Sequence, residues 1–210
     1  MNKKSLSLLL ERGYDFDIEA SFRKGWEMFS QNAINSVAYT MFMVSVQLLI
    51  ALYIPEFTLL YSIFLFAPLV GGFFLVANKI SQNEQILYPD FFQGFRYYMP
   101  LIIINIVAQV LIALGLILLI LPGIYLMVSY MFAFLIAIFA GTDFWVSMEL
   151  SRKIIHLRWR KFFILFLLLL VLNALGVLTI AGLLLTVPVS MYVIYAAFEM
   201  VTEDAVDEEE

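Results

Sequence analysis

Apolar residues run through this chain in long charge-free blocks, without the every-second-residue alternation of membrane barrel strands, so the blocks predict helices. A hydrocarbon core about 30 Å thick takes roughly 20 helical residues per crossing, and block length therefore converts into crossings. Residues 36–54 predict a first span, stopped by Pro55 and Glu56, and residues 58–78 a second that ends at Asn78 and Lys79. Residues 97–142 carry no charge and would make a single helix of about 70 Å, so they must fold back, with Leu121-Pro122-Gly123 as the expected break. Residues 162–198 pose the same problem, and Asn173, Gly176, Thr179 and Gly182 are the candidates for the reversal. The expected fold is an all-α integral membrane bundle of six transmembrane helices in three hairpins, a single domain over residues 1–202. An acidic cytoplasmic tail over 203–210 is expected to be disordered.

Charge placement adds an orientation. All twelve Lys and Arg residues fall on one side of this alternation, and the connections on the other side carry none. By the positive-inside rule both termini are cytoplasmic and the chain is a multi-pass protein of a cytoplasmic membrane. Composition agrees: 63% of residues are apolar and 14% charged, against roughly 25% charged in soluble domains. The net charge of −5 reflects seven acids crowded into the last twelve residues. With no cysteine, disulfides, thiolate metal sites and a Cys nucleophile are excluded. Lys3 and Lys4 precede a short run, Ser5 to Leu10, without a cleavage signature, so the first span is expected to serve for targeting.

The three approaches to the hairpins resemble one another. Asp17-Ile-Glu-Ala-Ser-Phe-Arg, Asp90-Phe-Phe-Gln-Gly-Phe-Arg and Asp143-Phe-Trp-Val-Ser-Met-Glu each place an Asp where its carboxylate can cap a helix. After Asp17, Ile18, Phe22, Trp26 and Phe29 form one stripe, which predicts an interfacial amphipathic helix over about 17–30. Trp26, Trp145 and Trp159 all lie in such approaches and are candidate interfacial anchors. Three copies of interfacial helix plus hairpin, or chance recurrence of caps, both account for the pattern.

Asp17 to Trp26, the LILLILPGIYL stretch at 116–126, and Met148-Glu-Leu-Ser151-Arg152 before Phe162 together resemble a bacterial six-helix inner-membrane family of uncharacterised function. That family is similar to the membrane domain of some glycerophosphodiester phosphodiesterases. The resemblance covers residues 14–200 or so and implies a fold and no activity. At Gly141-Thr142-Asp143 the chain departs from the family's charged segment.

Candidate chemistry is sparse. No charge lies near a predicted midplane, where pumps and intramembrane proteases need carboxylates. Gln47, Asn105, Gln109 and Asn173 enter the spans, either as a polar path or as hydrogen-bonding partners between helices. Ser129, Ala133, Ala137 and Gly141, and likewise Gly182, Thr186 and Ser190, recur every four residues, a spacing that lets helices pack closely. Arg152, Lys153, Arg158, Arg160 and Lys161 form the densest charge row, a topology determinant that can also hold anionic headgroups. His156 has no partner at metal-ligand spacing, and no cofactor or nucleic acid is expected. The leading expectation is a non-catalytic lipid-organising or accessory membrane module whose partners are membrane lipids, anionic ones included, another membrane protein or a second copy of itself. A small transporter or permease is the alternative. A lipid-modifying enzyme, resting on Glu149 and His156 alone, ranks third, and the chain is read as no enzyme.

Overall fold

Proline decides where three of the apolar helices begin. In a computed structural model describing residues 3–206, Pro68, Pro100 and Pro122 are each the third residue of a helix, where a missing N–H costs no intrahelical bond. The helices are α1 (Lys3–Arg12), α2 (Ile18–Gln31), α3 (Ala33–Tyr53), α4 (Thr58–Phe64), α5 (Phe66–Ser81) and α6 (Tyr98–Leu118). They continue as α7 (Ile120–Ser129), α8 (Ala133–Phe139), α9 (Phe144–Leu157), α10 (Trp159–Val177) and α11 (Ile180–Val206). A 3₁₀ turn, Pro55–Phe57, joins α3 to α4, and a ten-residue 3₁₀ segment, Tyr88–Tyr97, leads into α6. No strand occurs among the described residues.

Five helices are long and apolar enough to cross a membrane, and a sixth span results if α4 and α5, bent by 42°, form one. Several expected boundaries shift. The break between α6 and α7 falls at Leu119, in extended conformation, two residues before Leu121-Pro122-Gly123. Pro122 starts a helix there, and Gly123 lies buried against Gly115 and Leu116 of α6. The final reversal occurs at Leu178 and Thr179. Helix α11 continues through Val206, into the expected tail, of which residues 207–210 lie outside the described residues.

The two carboxylate caps at Asp17 and Asp143 form as expected: Asp17 accepts from the Glu19 N–H, and Asp143 from those of Trp145 and Val146, each at 3.0 Å. Asp90 does not cap from outside its helix. It lies third in the 3₁₀ segment, reaches back to the Leu87 N–H at 2.8 Å and pairs with Lys79 at 2.9 Å. From that ion pair the segment runs along α5, and its backbone approaches so closely that a Cβ on Gly72 would meet the Phe91 carbonyl and one on Gly94 the Pro68 carbonyl. Tyr39, Phe73, Phe91 and Tyr192, all fully buried, interlock beside this contact, with the Tyr39 and Phe91 rings stacked at 4.6 Å.

Helix α2 docks on α11 through Ser21, Gly25, Met28 and Phe29, with Gly25 directly against the Val193 backbone. Of the expected stripe, Phe29 joins this buried face while Trp26 is exposed. The hairpin α10–α11 is closed by Gly176 against Thr186 and by Asn173 donating to Ser190 Oγ at 2.7 Å. Phe132, just before α8, and Phe139, at its end, both contact Phe198 of α11, with ring centroids at 5.3 and 6.2 Å, and Phe139 also meets Tyr195, so α8 packs on α11. Tyr125, six residues past the Leu119 break, hydrogen-bonds His156 Nδ1 at 3.1 Å and stacks on Trp159 at the start of α10.

Because Gly72 has a backbone carbonyl where a side chain would go, Gly72→Ala must push the 3₁₀ segment off α5. Overpacking of this kind costs about 1–3 kcal/mol, occasionally more. Leu168→Ala, on an exposed face of α10, is expected to be milder in detergent melting, and equal shifts would contradict the assigned contact.

Candidate lipid-facing site

The site begins with a backbone problem. The chain breaks between α7 and α8, and a break in apolar surroundings leaves carbonyl and N–H groups that lipid cannot satisfy. Ser151 of α9 takes both, donating to the Ser129 carbonyl at 2.7 Å and accepting from the Phe132 N–H at 3.2 Å. That contact, with Met148, Ile154 and Ile155 buried on the same face, fixes α9 and so places the cation row that starts within it at Arg152.

The row is less free than its sequence suggests. Arg152 grips Glu149 through two hydrogen bonds, 2.8 and 2.9 Å, and Lys153 approaches the same carboxylate at 3.3 Å. Lys161 pairs with Asp15 at 2.6 Å and donates to the Phe16 carbonyl, while Arg158 lies 3.5 Å from Asp15. Arg160 is exposed and makes no contact of this kind. Five cations are therefore opposed by two carboxylates, leaving an excess of three positive charges. The Arg152 guanidinium holds Glu149 below the ordinary glutamate range, and the Lys161 ammonium does the same for Asp15. Water screens exposed pairs of this type, so they order side chains more than they stabilise the fold.

Two hollows adjoin the row. One, about 460 Å³, is walled by Leu121, Ile124, Tyr125 and Phe163; the other, about 350 Å³, by Arg158, Arg160 and Lys161; His156 and Trp159 line both. Trp159 is half-buried between Tyr125 and Phe163, and its indole N–H has no acceptor. Trp26 and Trp145 are exposed, on α2 and α9.

The polar residues in the spans do not gather into one path. Asn105 donates to the Ser62 carbonyl, 2.9 Å, and the Ile63 carbonyl, 3.3 Å, at the α4–α5 break, and Gln109 donates to Asn105. Asn173 serves α10 and α11, and Gln47 is exposed on α3. The small-residue row also divides. Ser129 ends α7, Ala133 and Ala137 face Ile104 of α6 and Met148 of α9, and Gly141 is an exposed turn residue at φ +61°. Gly182 and Thr186 pack on α10 at Gly176, and Ser190 bonds Asn173 there. Glu149 and His156 are engaged by different partners, and no group of three potential metal ligands occurs among the described residues. Sequence reasoning missed Asp15, Tyr125 and Ser151 as parts of the site. Asp15 acts across 146 residues, which no local spacing reveals.

No family model, curated protein or solved structure matches the chain.

Asp15 generates a pH prediction. Its folded carboxyl pKa lies below the unfolded value of about 3.9, so its contribution is present above that value and is lost as pH falls through the folded pKa. Amide-exchange protection of Tyr14–Phe16 should therefore fall at acid pH, and Asp15→Asn should show the loss already at neutral pH. Equal protection in both proteins would remove Asp15 from the site.

Proposed function

We propose that the chain is a non-catalytic module of the bacterial cytoplasmic membrane that gathers anionic lipid, its termini and cations on the cytoplasmic side. The bacterial setting rests on the family resemblance alone. The observation that carries the reading is the excess of positive charge beside an apolar hollow, at the foot of helices whose outer faces are apolar. Each cation near an anionic surface contributes about 1 kcal/mol, so three uncompensated charges suffice to bias lipid composition locally.

Sidedness also bears on the middle hairpin. Arg158, Arg160 and Lys161 belong at a polar boundary because charge in hydrocarbon is expensive. Tyr125 contacts His156 beside them, and Leu119 lies only about 9 Å further along α7 at 1.5 Å per residue. A core about 30 Å thick does not fit in that distance. In this reading the hairpins α3–α5 and α10–α11 cross, and α6–α7 dips into the cytoplasmic leaflet. Of the five to six helical segments long and apolar enough to span, this reading takes four as crossings and leaves both termini on one side.

The test is reconstitution in mixed phosphatidylethanolamine and phosphatidylglycerol, followed by analysis of lipid retained after detergent exchange. The expected result is enrichment of phosphatidylglycerol that declines with salt, and no solute flux through the proteoliposomes. Saturable flux sensitive to Asn105→Ala, without lipid enrichment, would replace this reading with a permease.

A further inference from the structure

Resting on the lipid-gathering reading, we infer that the paired hollows around Trp159 form a binding site for one anionic phospholipid of the cytoplasmic leaflet. Its phosphate would lie among His156, Arg158, Arg160 and Lys161, and an acyl chain along Leu121, Ile124 and Phe163.

Three observations converge on this occupant. The cationic and apolar hollows are neighbours that share Trp159 and His156 in their walls, so one molecule with a charged head and an apolar tail can reach both. Among the described residues only Asp15 opposes Arg158 and Lys161, and Arg160 has no carboxylate partner, so the rim retains positive charge to meet an anion. The Trp159 indole N–H is buried and has no acceptor among the described residues, so a shift of this side chain toward the hollows it lines would let it meet an oxygen of the bound lipid. The floor residues Leu121 and Ile124 lie on the α6–α7 hairpin, in the leaflet nearest the cations, which selects that leaflet's lipids. A free phosphate would satisfy the rim and leave the apolar hollow unused.

Asp15 makes the inference testable in both directions, because its carboxylate competes with the ligand for Lys161 and Arg158. Native mass spectrometry of the full chain with phosphatidylglycerol, phosphatidylethanolamine and inorganic phosphate as separate probes reads occupancy directly. Arg160→Gln should lower phosphatidylglycerol retention about fivefold, the equivalent of about 1 kcal/mol for one cation. Asp15→Asn should raise it, and Arg96→Gln, an exposed cation elsewhere, should leave it unchanged. Ile124→Trp, which fills the apolar hollow, should reduce retention of both lipids. If wild type prefers phosphatidylglycerol but Arg160→Gln and Asp15→Asn have no effect, this site is overturned while lipid gathering elsewhere on the protein survives. If wild type shows no preference, both readings fall. If inorganic phosphate competes as well as phosphatidylglycerol and Ile124→Trp is silent, the site is one for a free anion and the lipid assignment is wrong.

Discussion

Broken helices in a chain whose surroundings are lipid must find partners for the backbone groups that each break frees, and this requirement organises the molecule. At the α4–α5 break Asn105 supplies donors to two carbonyls. At the α7–α8 break Ser151 supplies a donor and an acceptor. At the last reversal the Thr179 hydroxyl accepts from the Gly182 N–H at 3.2 Å. Unpaired buried groups cost several kcal/mol in hydrocarbon, so these side chains are tightly constrained. Two of the three come from a different hairpin or from its approach helix, and satisfying the backbone therefore also joins the elements.

The joint at Ser151 has the furthest consequences. By holding α9 against the α7–α8 joint, it brings the cation row and Trp159 beside Tyr125. The two hollows beside Trp159 depend on that placement.

Much of this was legible in the residues. Asp17 and Asp143 announced two helix starts because capping is local chemistry. The 3₁₀ approach was misjudged because Asp90 acts from inside its segment, a role set by the close contact of Gly94 and Gly72, which are 22 positions apart. The row Ser129, Ala133, Ala137, Gly141 looked continuous since four-residue spacing assumes an unbroken helix, and the turn at Tyr130–Phe132 divides it. Long-range ring contacts leave no local trace either. Phe132 and Phe139 look like ordinary core residues until both are found on Phe198.

The claim most exposed to test is that the α6–α7 hairpin remains in the leaflet beside the cations. Nitroxides at Leu119, Glu56 and Thr179 in reconstituted vesicles, compared by accessibility to oxygen and to a water-soluble nickel chelate, measure depth directly. The account predicts a hydrocarbon signature at Leu119, with high oxygen and low nickel exposure, and aqueous signatures at Glu56 and Thr179. Strong nickel exposure at Leu119 from the compartment that reaches Glu56 would show that this hairpin crosses, and would contradict the account.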